Sequence, residues 1–356
     1  MVERCDILIF NVSEGQFVLV LGIESSCDET ACAIVKDGKE ILSNVVRSQT
    51  EVHGHLGGVF PELACRKHSD ALIPVIRTAL NTASLQFEHI DLIAAARGPG
   101  LIGALLIGLN AAKTLSYAWN VPFVGVNHVE AHLYAAMMPL DSIVWPALGV
   151  VISGGHTFLV KIEAIGRYAF LGGTQDDAIG EAFDKIATLL GLPYPGGPQI
   201  EMLAQKGNPL RFPFKAGRVK ERPLDFSFSG LKTNVLYTVK GQNSSKNSPV
   251  LLSEQDKADV AASFQEVALR DVVCKALIAA EQQGCKALFC GGGVSNNQRL
   301  RKLFTMLCPL PVYYPLPGLS LDNAAMIAGL GFHRFLEDKQ GDALDLEPLT
   351  RIPLGS

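Results

Sequence analysis

The strongest constraint on the fold is an opening that occurs twice. LVLGIES runs into ACAIVKD around residues 26–29, and after Pro146 ALGVVIS runs into TFLVKI around Gly154 and Gly155. Each is a short apolar run, a turn of small or polar residues and a second apolar run, which reads as strand–turn–strand. Helix and strand then alternate. In the first half, 17–23, 31–36 and 41–46 read as strands and 61–83 as an amphipathic helix opened by Pro61. Residues 90–95 follow as a strand, 101–119 as a helix and 121–126 as a strand. In the second half, 176–190 and 254–283 are long helical patterns, 286–290 a strand, and 295–307 and 320–337 helices. A chain that begins twice in the same way is expected to form two related mixed α/β lobes, and 356 residues suit two lobes better than one core. The expected division is an N-terminal leader at 1–17, a first lobe at 18–127 and a second at 128–324. The second carries the metal and nucleotide loops, and a C-terminal helix at 325–350 packs back on the first. Residues 241–250 (GQNSSKNSPV) read as a polar surface loop.

Composition narrows the function classes. The net charge of −4 argues against a protein that coats nucleic acid non-specifically, so any RNA contact must come from a local patch. Eight cysteines form no CxxC pair, which fits free thiols in a reducing compartment and speaks against a zinc ribbon. No apolar run reaches the roughly 20 residues that span a bilayer. The first seventeen residues carry two glutamates and an aspartate against one arginine, unlike a signal or transit peptide. The expectation is a cytoplasmic protein with no membrane partner.

Three glycine-rich turns fall at strand ends: SGGHT at 153–157, Gly196–Gly197, and GGG at 291–293. Glycine lets backbone N–H groups approach a phosphate with no Cβ in the way, and the helix after GGGVSNN adds its N-terminal dipole. One such turn alone more often just joins strands; three together favour a phosphate-binding role. None has the spacing of a Walker loop or a Rossmann fingerprint.

His128 and His132, four apart in NHVEAHLYAAMM, share one face of a helix and can share a cation. The alternative is a pair of surface or capping histidines. Glu130 projects to the opposite side, so the general base of an HExxH peptidase is missing. Asp322, at the start of a helix in LSLDNAAMIAG, is the best third ligand, and a plain helix cap is its alternative. Two histidines and one carboxylate leave positions open for substrate. Asp28 and Glu29 sit in the first hairpin turn, where acids often only cap or solvate. Asp184 falls in an apolar-periodic helix, an odd place for a charge without a partner. Asp176 and Asp177 read as caps at a helix start. Residues 206–222 (KGNPLRFPFKAGRVKER) hold six basic side chains against one acidic, with Phe212 and Phe214 interleaved. They are a candidate RNA-facing strip, with a solvated loop as the alternative.

In order, GIESSCDETACAIV, GGVFPELACRKH, GPGLIGALLIG, NHVEAHL, ISGGHT, DDAIGEAFDKIATLLGLPYPGGP, FSFSGLKT, GGGVSNNQRLR and SLDNAAMIA closely resemble the TsaD family, over roughly residues 18–334. The pattern is closest to the bacterial type, with organellar members similar. The resemblance implies an actin-like ATPase or sugar-kinase-like α/β fold, two lobes around a nucleotide cleft. It implies transfer of a threonylcarbamoyl group from threonylcarbamoyl-AMP to the exocyclic amine of the adenosine 3′ of the anticodon, in tRNAs reading codons that begin with A. It implies one divalent metal per subunit, usually iron, with zinc also found. His128, His132 and Asp322 match the metal ligands. Val151, Ile152, Ser153, Gly154 and Gly155 match the substrate loop, and Asp184, Gly197 and Asn297 match further substrate contacts. Asp28, Glu29 and His156 align with cleft residues discussed as catalytic. HVEAH stands where the family commonly has HMEGH, and SNN where it has SAN, both leaving the functional positions in register. Implied partners are tRNA, threonylcarbamoyl-AMP, a related metal-free subunit and a small P-loop ATPase. The rival readings are a metallopeptidase, an actin-like ATPase or carbohydrate kinase, and a non-catalytic subunit of the same fold. The last would have lost the metal ligands, and all three are present.

Overall fold

The computed structural model describes residues 17–54, 58–241 and 252–354. Residues 1–16 of the expected leader and 242–250 of the expected polar loop lie outside them. The chain forms two compact units, Met1–Asp141 with Pro315–Ser356, and Ser142–Tyr314.

In the first unit, β1 (Leu19–Glu24), β2 (Glu29–Lys36) and β3 (Glu40–Ser48) form an antiparallel meander with Gly22 opposite Ala33. Every residue of β1 is buried, which explains a continuous apolar run in place of an alternating one. Helices α1 (Thr50–Gly54) and α2 (Pro61–Thr82) lead to β4 (Leu92–Gly98), parallel to β1. Helix α3 (Ile102–Trp119) ends on Asn120 in the left-handed region and leads to β5 (Phe123–Asn127), parallel to β4. Helix α4 (His128–Met137) follows β5 with no loop between them. The strand order is β3-β2-β1-β4-β5.

The second unit repeats this construction. Strands β6 (Ala147–Ile152), β7 (Thr157–Ala164) and β8 (Arg167–Gly173) form the meander. Helices α5 (Ile179–Leu189), α6 (Gly196–Ala204), α7 (Ser229–Lys240) and α8 (Glu254–Gln282) follow. Strand β9 (Leu288–Gly291) is parallel to β6, and after α9 (Gln298–Leu307) the short β10 (Val312–Tyr313) is parallel to β9. The order β8-β7-β6-β9-β10 matches the first sheet strand for strand, so the duplicated opening extends to the whole sheet. The core of this unit is built from the helices over the sheet, with Phe183 and Phe264 edge to face at 5.0 Å.

The chain re-enters the first unit at Pro315, and α10 (Ala324–Asp338) packs on β1, β2, β4 and α4. A Cβ on Gly22 would stand 2.9 Å from the Ala328 Cβ, so only glycine lets α10 lie this close to β1. Beyond Lys339, whose φ is 54°, the chain is irregular to 350 where a helix was expected. Asp342 accepts from the Gly125 N–H at 2.7 Å and Leu349 N–H donates to Arg97 O at 2.9 Å, holding this tail along β4 and β5. The units divide at 141/142 and 314/315, whereas the sequence reading draws its lines at 127/128 and 324/325. Helix α4 continues directly from β5 and packs beneath α10, which puts His128, His132 and Asp322 in the first unit. No described helix is long and apolar enough to cross a membrane.

Candidate metal centre and glycine-rich turns

Asn127 caps α4, accepting from Val129 N–H at 3.0 Å and Glu130 N–H at 3.4 Å. That cap places His128 in the first helical position and His132 one turn on, their rings 4.7 Å apart. The chain before Asn323, the cap of α10, brings Asp322 Oδ1 to 3.1 Å from His132 Nε2 and 3.6 Å from His128 Nε2. One ligand atom from each of the three lies within 4.8 Å of the others. Bonds of about 2.1 Å in a tetrahedral set hold ligand atoms about 3.4 Å apart, so the donor set fits one cation. Glu130 does not join this group.

Behind His128 lies a carboxylate that the sequence reading passes over. Glu24, at the end of β1, is fully buried; its Oε2 is 2.8 Å from His128 Nδ1 and its Oε1 accepts from Ser26 N–H at 2.5 Å. When a cation takes Nε2, a carboxylate on Nδ1 holds the remaining ring proton there, the usual support of a metal-bound imidazole. Burial by itself would push the His128 imidazole down. The carboxylates of Glu24 and Asp322 outweigh it and raise the group to about 9. The same negative field favours any cation at this point. His132 Nδ1, by contrast, is buried with no hydrogen-bond partner among the described residues.

Asp28 and Glu29 lie in the same unit, Asp28 at the end of the turn between β1 and β2 and Glu29 as the first residue of β2. Leu101 N–H donates to Ser26 O at 2.8 Å, and His68 Nε2 lies 3.0 Å from Cys27 O, so the turn is pinned from two sides. Burial, then the Asp28 and Asp322 carboxylates, push Glu29 up to about 9, and its side chain hydrogen-bonds Asp28. Burial thus favours the protonated form of Glu29 while no cation offsets the Asp322 charge. Burial, then Asp28, push the Cys27 thiol far above its usual range, which makes it inert.

The remaining candidates gather in the second unit. Ser153–His156 close the β6–β7 turn, with Ser153 N–H donating to His156 O at 2.8 Å and His156 N–H to Ser153 Oγ at 3.1 Å. A Cβ on Gly154 or Gly155 would meet nothing within 4 Å, so the tip of the turn is open where a side chain would stand. Val151 and Ile152 are the buried end of β6. The GGG turn lies alongside, because β9 pairs Gly291 with Val151. Gly292, at φ +92°, would put a Cβ 2.5 Å from Ile152 O, so this contact requires glycine. Gly180, at the start of α5, donates its N–H to Ser153 O at 3.2 Å. Asp184 has the partner its position called for: its carboxylate accepts from Gly196 N–H at 2.7 Å and from the Gly197 N–H, capping α6. Gly197 also faces open space. Asn297 caps α9 through Leu300 N–H at 3.1 Å, and its amide donates to Gln265 at 2.8 Å. Both side chains thus carry structural duties. Asp176 is a cap as expected, but of α7, accepting from Phe228 N–H at 2.8 Å and Ser227 Oγ at 2.6 Å. Helix α5 begins only at Ile179. Asp177 pairs instead with Lys185 and Lys232.

Two sheets of one strand order define an actin-like, sugar-kinase-like α/β protein, and a His–His–Asp centre sits in the first of its two units. The family model described as TsaD: tRNA N6-adenosine threonylcarbamoyltransferase matches residues 40–329, and the chain belongs to that family. It is 62% identical over 342 residues to the tRNA N6-adenosine threonylcarbamoyltransferase of Protochlamydia amoebophila, covering 95% of this chain and 99% of that one. The protein of the same name from Chlamydia felis is 48% identical over 323 residues, covering 90% and 93%. Among solved structures, HypF of T. kodakarensis matches 90% of this chain and 48% of its own at a TM-score of 0.59. At 17% identity it is evidence of fold alone.

Proposed function

We propose that this chain transfers the threonylcarbamoyl group of threonylcarbamoyl-AMP to the N6 amine of the adenosine 3′ of the anticodon, in tRNAs reading codons that begin with A. The observation that carries this is the 62% identity to a protein of that name through 99% of its length. The family membership makes it an acyltransferase; the metal dependence, the donor and the residue roles below are our reading.

The carbonyl carbon–oxygen bond to the AMP phosphate breaks, a carbon–N6 bond forms and N6 gives up a proton. The leaving group is already good, so positioning matters more than covalent activation. His128, His132 and Asp322 would hold one divalent cation, Fe(II) or zinc, which when bound supplies Lewis-acid neutralisation of anionic oxygen. Glu24 keeps His128 in the tautomer that can ligate. The exposed turn at Gly154 and Gly155, supported by Val151, Ile152 and Ser153, would offer backbone hydrogen bonds to the nucleotide. Gly197 would add a backbone surface, with Asp184 and Asn297 anchoring the helix starts beside it. Glu29, in its protonated form, suits proton donation; Asp28 would take the N6 proton, directly or through water, with His156 as a further candidate.

The bacterial-type pattern also leads us to propose a cytoplasmic enzyme that works with a metal-free paralogous subunit and a small P-loop ATPase. In support, α2 and α3 carry Ile73, Ile102 and Tyr117 at 50%, 48% and 77% exposure. The decisive experiment depletes this protein and measures tRNA nucleosides by mass spectrometry. Loss of threonylcarbamoyladenosine is expected, and an unchanged level refutes the assignment.

A further inference from the structure

Residues 206–222 run as an irregular segment over the second unit. Through its centre, exposure alternates: Arg211, Pro213 and Lys215 face solvent while Phe212 and Phe214 turn inward. The two phenyl rings lie nearly parallel, 14° apart with centroids at 5.8 Å, and the Arg211 guanidinium lies 5.6 Å from the Phe212 ring. Opposite them, α7 presents Asn234, Tyr237 and Thr238, and together with Pro213 these residues line an open surface depression of about 450 Å³. Tyr237 is 45% exposed, so its ring remains available. Of the six basic side chains in the segment, only Arg222 has an ion pair among the described residues, with Asp225 at 3.5 Å.

We propose that this depression is an RNA subsite that seats one unpaired nucleobase against the Phe212, Phe214 and Tyr237 rings while the surrounding cations track the flanking phosphates. The inference rests on the tRNA-modifying reading and deepens it. Aromatic rings accept any base by its π-face, and exposed cations pair with phosphate without regard to sequence. An open depression of this size admits a single base laid flat on the rings. Asn234 and Thr238 add polar groups at the rim that can meet base edges. An acidic peptide would satisfy the cations but has no planar group to lay on the exposed Tyr237 ring.

The test uses the full-length protein and an unmodified tRNA transcript. Ultraviolet crosslinking is expected to map to the peptides carrying Phe212, Phe214 or Tyr237. In filter binding, Tyr237→Ala is expected to weaken the complex by about 5- to 150-fold with an unchanged salt slope, because it removes stacking and no charge. Tyr237→Phe keeps the ring and should bind like the parent. Lys215→Glu with Arg218→Glu should weaken binding and lower the slope by about one for each phosphate no longer neutralised. A Tyr237→Ala protein that binds within twofold of the parent, or crosslinks confined to other peptides, overturns the subsite and leaves the reaction standing. Displacement of tRNA by polyglutamate as readily as by a single-stranded oligonucleotide of equal charge also overturns it. A parent that binds tRNA yields that comparison directly; a parent that neither binds nor modifies tRNA when supplied with the proposed partner subunits overturns both readings.

Discussion

Glu24→Gln tests the metal centre at the residue that touches no metal. The wild-type carboxylate meets two donors, the Ser26 N–H at 2.5 Å and the His128 Nδ1–H at 2.8 Å, with one oxygen for each and no access to solvent. An amide of nearly the same shape has one acceptor and two donors. If its oxygen serves Ser26, its NH2 faces His128 Nδ1 and drives the ring proton to Nε2, the atom that faces Asp322. If it serves His128, the buried Ser26 N–H is left against a second donor. Loss of such outer support usually lowers metal affinity about 10- to 100-fold, or about 1.4–2.8 kcal/mol. The assay is competition for Fe(II) or Zn(II) against a chelator of known affinity, with thermal unfolding of the metal-stripped proteins as the control for folding. The expected result is weaker metal binding at a similar unfolding temperature. Equal metal affinity in Glu24→Gln and parent would refute the reasoning, since the tautomer of His128 would then not be set by Glu24.

His132→Ala removes one of three ligand atoms and should abolish stoichiometric metal by elemental analysis and stop tRNA modification, with the circular dichroism spectrum retained. Ile102→Glu places a charge at a 48% exposed position of α3 and should abolish association with a paralogous subunit in size-exclusion chromatography without lowering the melting temperature. Glu29 holds its proton up to about 9 in the metal-free folded chain, against about 4.3 in an unfolded one. The folded state binds the extra proton across that window, so this contribution to stability is present below the lower value and lost as pH rises through the upper. Urea titrations of metal-stripped Glu29→Gln across pH 5–9 should therefore show a flatter decline than the parent, and parallel curves would count against a protonated Glu29.

The fold was legible wherever a segment's own pattern matched its surroundings. Strand β1 is buried throughout and reads as an unbroken apolar run, and α8 begins at a capping box of Ser253 and Asp256 that any reader of the chain can find. Strand β8, paired with the neighbouring β7, was passed over too, but several of the missed elements depend on distant parts. Strand β10 is two residues long and exists as a partner of β9. Helix α6 opens with Gly-Gly-Pro, which reads as a turn, and is started by the carboxylate of Asp184 twelve residues earlier. Helix α7 has no side-chain cap of its own at Phe228; Asp176, 52 residues upstream, supplies it. The sequence assigned Asp176 to the helix that follows it because local capping is the common case.

The same distinction separates the parts of the site. The His128 and His132 pair was visible because both ligands come from one helix, and helical spacing is a local property. Asp322 was a weaker signal, and Glu24 none, although the structure joins all four. Glu24 closes an apolar strand, where a lone acid reads as the strand's exposed end, and its partner is 104 residues away. Yet an ionised carboxylate with no solvent access is too costly to persist without donors and a positive partner. Strand β1 lies beside β4, and β4 beside β5, so the ends of β1 and β5 meet at one edge of the sheet. Asn127 ends β5 and His128 follows it immediately, so the parallel register itself carries the imidazole to the carboxylate. A buried acid at the end of one parallel strand, and a histidine just past the end of another, can thus be sought together once strand order is known. Neither residue announces the other before that.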